Sequence, residues 1–238
     1  MAHDPSPLLP GAALDQLGRM RLGEHSMSSV LDAVVSLVQQ SLPGDTEASV
    51  TLLRNGTAVT AAYSGDLARG LDENQYERGE GPCLLAAAEG RPVEVPDTAA
   101  DDRWPDYLAL VRESGCRGLM SLPFPVHEQL GGGLNVYARE AGAIDEAARG
   151  FAERFAEYAA VVAGNMLAYE QARDHARNLE LALESRAVID QAKGILMERF
   201  RLTADQAFQA LARLSMETNT KVRAVAQRVV ESGELPRR

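Results

Sequence analysis

Between Asp145 and Pro236 the chain contains no proline, and within that stretch Phe155, Tyr158, Val162, Asn165, Tyr169, Ala172, Ala176, Leu179 and Leu183 recur in alternating steps of three and four. Such spacing is a heptad seam, which commits the segment to one long helix needing a partner along a single stripe. A second copy in parallel is the expected partner. The competing arrangement folds the first half of the helix back onto the rest of the chain.

Past Leu183 the same register gives Arg186, Asp190, Lys193 and Met197, so the seam turns polar. The apolar residues Val188, Ile189, Ala192, Ile195 and Leu196 now lie on a face rotated well away from that stripe. Two short helices are expected to cover them. One, over Thr203 to Leu214, opens with the capping box Thr203-x-x-Gln206 and offers Ala207, Phe208, Leu211 and Leu214; the other, over Asn219 to Glu231, offers Val222, Val225, Ala226, Val229 and Val230. The result is a three-helix head. Gly194 interrupts the long helix beside Lys193, one of only two lysines, the other being Lys221. A glycine in a helix interior costs roughly 1 kcal/mol relative to alanine. Either something large must approach the helix there, or a neighbouring helix packs tightly against it.

Charge divides the chain in the same place. Residues 173–238 carry twelve Arg and Lys against nine Asp and Glu, whereas residues 1–172 carry twelve against twenty-five. An acidic body repels polyanions, so any nucleic-acid contact belongs to the carboxyl-terminal part. No run is long and apolar enough to span a bilayer and the start lacks a secretory pattern, so a cytoplasmic protein is expected. Cys83 and Cys116 are too few for a disulfide framework and form no metal-ligand cluster with the four histidines, so neither metal nor other cofactor is expected.

The first 150 residues mix strands and helices. Met27 to Gln40 is an amphipathic helix; Ser49 to Arg54 and Thr57 to Ser64 form a hairpin about Asn55-Gly56. Helices are expected over Asp66 to Tyr76, near Cys83 to Glu89 and around Asp106 to Ser114, with strands at Val93 to Val95, Gly118 to Phe124 and Leu134 to Ala138. The expected fold class is therefore α+β: a disordered tail over 1–10, a domain with a mainly antiparallel sheet flanked by helices over 11–150, a coiled-coil linker helix over 151–184 and the head over 185–238.

The string Arg186-Ala-Val-Ile-Asp-Gln-Ala-Lys-Gly-Ile-Leu-Met197, followed by Ala207-Phe208, Leu214-Ser215 and Thr218-Asn-Thr-Lys221, resembles an ANTAR domain, the RNA-binding module of transcription antitermination regulators. Upstream, Leu71-Asp-Glu-Asn-Gln-Tyr76, Gly79-Glu-Gly-Pro-Cys83, Asp101-Asp-Arg-Trp-Pro105 and Leu134-Asn-Val-Tyr137 are similar to the GAF half of actinobacterial GAF-ANTAR regulators. The resemblance implies a GAF sensory domain receiving a small-molecule or protein signal. It also implies an ANTAR head that binds paired RNA stem-loops with hexanucleotide loops and favours an antiterminator over a terminator. By position it assigns RNA contact to Arg186, Gln191, Ala192, Lys193 and Gly194 on the long helix and to Ser215, Asn219 and Lys221 where the short helices meet. Asp190, four residues after Arg186 and three before Lys193, allows a plain surface ion-pair ladder instead.

Two other functions compete with that regulator. Cys83, near a helix start behind the glycines of Glu77 to Pro82, and Cys116 as a resolving thiol would suit a redox sensor or a thiol enzyme of the methionine sulfoxide reductase type. Buried, inert thiols are the simpler reading, and no enzyme is expected. The same loop would place backbone donors around an anion, or merely need glycine geometry. A DNA-binding head is disfavoured because no second helix carries several base-reading side chains.

Overall fold

The structure, a computed structural model, describes residues 9–54, 56–126 and 130–234. The tail expected over 1–10 falls mostly outside the described residues, as does Asn55. Pro10 instead opens a helix, α1 (Pro10–Gly18), with proline in the first turn where its missing N–H costs nothing. The sequence pattern does not predict this helix. After a 3₁₀ turn at Leu22–Glu24 come α2 (Met27–Ser41), capped by a reciprocal Ser26–Ser29 box, the hairpin β1 (Thr46–Arg54) and β2 (Thr57–Tyr63), α3 (Asp66–Arg78) and α4 (Pro82–Glu89). Then follow β3 (Val93–Val95), α5 (Pro105–Glu113), β4 (Gly118–Pro123), β5 (Leu130–Ala138), α6 (Glu146–Phe200), α7 (Ala204–Thr218) and α8 (Val222–Ser232).

The five strands form one antiparallel sheet in the order β2-β1-β5-β4-β3. Both faces are covered, and side-chain alternation sorts them. Ala48 and Val50 of β1, Met120 and Leu122 of β4, and Leu134 and Val136 of β5 face α1, α2 and the first part of α6. Leu119, Tyr137, Val93 and Val95 face α3, α4 and α5, where Trp104 and Tyr107 are also buried as core aromatics. At β5 the run Gly131-Gly132-Gly133 lets the strand lie close to β1, since a Cβ at Gly132 would collide with the Thr51 carbonyl.

The chain divides into two compact units, Met1–Glu170 and Gln171–Arg238. In the first, Ala148, Phe151, Ala152, Phe155, Ala156, Ala159, Ala160 and Ala163 of α6 are packed into the sheet-side core. Glu170 accepts from the Met27 N–H at 3.0 Å, a carboxylate at the positive end of α2. At the start of the expected seam the chain's own core takes part of the stripe: Phe155 is fully buried and Val162 is packed against the same core, while Tyr158 is 42% exposed and Asn165 is exposed. Further along, Ala172 and Ala176 are exposed, Leu179 is 62% exposed and Leu183 58%.

In the second unit Ala192, Leu196, Ala207, Leu211, Val225, Ala226 and Val229 form a small aliphatic core. Arg201 in the left-handed conformation (φ 54°) ends α6, and the Thr203–Gln206 capping box starts α7. Arg223 reaches Glu184 at 2.9 Å and Arg199 reaches the Gly233 carbonyl and Glu234, so α8 runs parallel to the end of α6 and α7 returns between them. Phe208, expected to pack inward, is 46% exposed; the core at its level is filled by the neighbouring Ala207 and Leu211.

Candidate functional site

On the sheet face beneath α3, α4 and α5 the interior is polar. Ser49 and Thr51 of β1, Asn135 and Tyr137 of β5 and Ser121 of β4 point the same way, Asn135 standing between Ser49 and Ser121 in register. From α3 come Asp72, Gln75 and Tyr76, a set spaced to share one helix face. Asp72 Oδ1 accepts from Tyr137 Oη at 2.5 Å and Asn135 Nδ2 at 3.0 Å, and Oδ2 accepts from Thr60 at 3.0 Å. Tyr76 Oη bridges Thr51 and Thr60, and Gln75 Nε2 donates to Tyr137. Burial pushes the Asp72 carboxyl up to about 6 despite the hydrogen bonds it accepts, led by that from Tyr137. Beside it Asn135 Oδ1, Ser121 Oγ and Tyr107 Oη are buried without a protein partner. Unspent hydrogen-bonding capacity next to a buried carboxylate makes this polar interior the candidate site of the domain.

Cys83 lies against this cluster. Its Sγ donates to Thr51 Oγ1 at 3.2 Å, and a Cβ on Gly133 would come within 2.8 Å of the sulfur. Its backbone N–H is held by Gln75 Oε1 at 2.8 Å, so a protein side chain occupies a donor at the start of α4 that an anion would use. Gly79 (φ 70°) and Gly81 (φ 144°) adopt backbone that other residues rarely take, which accounts for the glycines of that loop. Burial pushes both thiols up to about 12, and both are fully buried, Cys116 Sγ donating to the Gly118 carbonyl at 3.3 Å. Neither environment favours a thiolate. A disulfide-exchange reagent at pH 8 is expected to label neither cysteine in the folded protein and both after denaturation; stoichiometric labelling of the native protein would contradict the assignment of inert thiols.

In the carboxyl-terminal unit the ladder exists as a structure: Arg186 Nε lies 3.7 Å and Lys193 Nζ 2.9 Å from the Asp190 carboxylate, which the Lys193 hydrogen bond holds below its ordinary pKa. Gln191 is exposed, Ala192 is fully buried in the head core, and a Cβ placed on Gly194 meets nothing within 4 Å. Tight packing within the chain therefore does not explain Gly194. At about 100° per residue, Glu184 and Arg199, which meet α8, lie on one side of the buried Ala192–Leu196 line. Arg186, Lys193 and Phe200 fall on the other side, next to α7. Because α7 is antiparallel, its Phe208–Ser215 flank turns towards that same groove, with Asn219 at its end. Asn219 is left-handed (φ 48°), Ser215 Oγ donates to the Thr220 carbonyl at 2.6 Å, and Lys221 is the N-cap of α8. The two groups of residues singled out from sequence thus converge on the α6–α7 groove and its Asn219 end, whereas Gln191 and Gly194 face outward.

A model of the GAF domain family matches residues 24–162, more than half of the chain. The chain belongs to the GAF domain family. A model of the ANTAR domain matches residues 177–230, which gives the GAF-ANTAR architecture. No curated protein matches. Among solved structures the GAF fold is similar to the phycoerythrobilin-bound GAF domain from a cyanobacterial phytochrome, with a TM-score of 0.55 and 12% identity over 69% of this chain and 100% of that one. It is also similar to the reduced form of fRMsr of Staphylococcus aureus, with a TM-score of 0.53 and 16% identity over 66% and 97%. A third is the GAF domain from a phosphoenolpyruvate-protein phosphotransferase of Coxiella burnetii, with a TM-score of 0.50 and 19% identity over 70% and 96%. These likenesses establish the fold alone.

Within the GAF domain the residues of the polar cluster were missed as site residues, although Asp72, Gln75, Tyr76, Asn135 and Tyr137 sit inside the strings that carry the family likeness. The available signal was phase. Positions 72, 75 and 76 share a helix face and 135 and 137 a strand face, and both sets are polar where an apolar pattern would be expected. No helix among the described residues is long and apolar enough to cross a membrane, and no cluster of three metal-ligating side chains occurs among them.

Proposed function

We propose that the protein is a signal-responsive transcription antitermination regulator. Its ANTAR head binds paired RNA stem-loops with hexanucleotide loops, and its GAF domain conveys a signal that changes this binding. The observation that carries the reading is the α6–α7 groove, along which Arg186, Lys193, Ser215 and Asn219 converge, with Gly194 on the outward face next to it, where the chain itself leaves open space. A glycine that costs helix stability with no internal packing to justify it suits the close approach of a nucleic-acid backbone. Arg186, Lys193 and Lys221 supply cations for phosphates, and Ser215 and Asn219 supply hydrogen-bonding groups for splayed loop bases. In the free protein Asp190 holds Lys193, and RNA phosphate takes its place. Transcription in vitro through a terminator preceded by two hexaloop hairpins tests the function: added protein raises read-through, and read-through unchanged at saturating protein contradicts it.

A second copy is proposed to cover the exposed stretch of α6. Ala172, Ala176, Leu179 and Leu183 keep the heptad spacing through an exposed stretch of α6 in which Leu181 is the one large apolar side chain off the seam. Leu179→Asp with Leu183→Asp is expected to halve the mass measured by light scattering at micromolar concentration. Wild-type protein that is monomeric throughout would rule the dimer out. The stripe that joins two copies up to Leu183 becomes the Arg186–Lys193 stripe beyond it, so a change in the GAF domain that shifts the pairing also shifts how two RNA-facing grooves are presented.

A further inference from the structure

The chain has five phenylalanines. Phe124, Phe151 and Phe155 are buried in the GAF core, while Phe200 is 49% and Phe208 46% exposed. Both exposed rings belong to the ANTAR unit and both lie on the flanks that form the α6–α7 groove. The head core is wholly aliphatic, so these rings are not left over from a core too small to define: the fold closes over Leu196 and Leu211 and leaves the adjacent aromatic positions outside. Burying a phenylalanine is among the more favourable things a side chain can do. A pair held half in water on one groove is available to a partner that presents flat apolar faces.

We infer that Phe200 and Phe208 form a stacking platform for unpaired bases, the aromatic end of a groove whose cationic end is Arg186 and Lys193. This assignment rests on the RNA reading and extends it from phosphate contact to base contact. The chemistry of the groove favours RNA over a protein partner. Cations that hold phosphates stand in line with flat apolar rings, and single-stranded nucleic acid presents that combination of anionic backbone and π-faces. Ser215 and Asn219 on the opposite flank complete it with groups able to meet base edges. Antiparallel α7 sets the order along the groove. Phe208 lies at the Phe200 end and Asn219 at the Arg186 end, so a strand lying in the groove stacks at one end and is held by charge at the other.

The test uses the full chain and a tandem hexaloop RNA carrying 2-aminopurine at successive loop positions. With wild-type protein, 2-aminopurine emission at one loop position or more falls on binding. Phe208→Leu and Phe200→Leu keep apolar bulk but remove the π-face; each is expected to weaken binding about tenfold and to abolish the emission change at its own base. Phe208→Trp restores both. The dependence of affinity on salt stays as in wild type for these variants, because no charge is lost. Circular dichroism melts verify that each variant is folded. If wild type binds the RNA and both leucine variants match it in affinity and emission, the stacking platform is wrong while RNA recognition survives. Leucine variants that bind RNA normally but lose dimer mass make the rings a protein interface and overturn the inference. Absence of wild-type binding overturns the RNA reading and the platform with it.

Discussion

Gly194→Ala is expected to stabilise the ANTAR head by about 1 kcal/mol and to weaken its hold on RNA by about tenfold. The first effect follows from helix propensity alone: Gly194 lies inside α6, and the added methyl enters open space, so nothing offsets the gain. The second follows from what must approach that face. A methyl group inserted under a close contact forces the ligand outward, and charge-assisted hydrogen bonds weaken steeply with distance. Effects of opposite sign separate this account from a general structural role, in which stability and binding fall together. Thermal melts and anisotropy titrations of the same preparation measure both. A variant more stable and equally good at binding would leave Gly194 without a function.

The second large effect belongs to the GAF domain. Asp72 is fully buried, no Arg, Lys or His donates to it, and its carboxyl is raised to about 6 by burial. The groups facing it are Tyr76 from its own helix, Tyr137 from β5, Tyr107 from α5 and Cys83 from α4, all of them neutral acids whose own ionisation its charge opposes. A group whose pKa is higher folded than unfolded binds its proton more tightly in the native state. Its contribution is therefore complete below about pH 4 and is lost as pH rises through about 6, amounting to about 3 kcal/mol. Asp72→Asn keeps the shape without the charge. The stability of the variant minus that of wild type, followed by the fluorescence of Trp104, the single tryptophan, is expected to rise by about 3 kcal/mol between pH 4 and pH 7. A difference independent of pH would show that Asp72 does not titrate in this window.

The fold was more legible than the site, for reasons visible in particular residues. The hairpin, the strand Val93–Val95 and the Thr203 cap depend on local signals and stand where the sequence places them. At Phe155 the seam left two partners open because heptad spacing specifies only that a stripe is covered. Whether a second helix or the chain's own sheet covers it depends on the alanines at 152, 156, 159 and 163, which flatten the helix against the strands. Helix α1 escaped notice because its nine residues are short for periodicity to register. Phe208 was placed inward on phase alone, and phase does not choose between a core position and its flank. The Asp72 cluster assembles from α3, β1, β2 and β5, whose pairing no local pattern announces. On the head, Arg186, Lys193, Ser215 and Asn219 were singled out by the resemblance to ANTAR domains, and helix phase places them along the α6–α7 groove.

The most direct measurement is a fluorescence anisotropy titration of full-length protein with a tandem hexaloop RNA, repeated across a series of salt concentrations and with Lys193→Ala. Binding is expected to weaken steeply with salt, with a salt slope shallower by about one counterion for the folded Lys193→Ala variant and a loss of affinity when the loop sequences are scrambled. Equal affinity for scrambled loops, or a Lys193→Ala variant indistinguishable from wild type at every salt concentration, would contradict this.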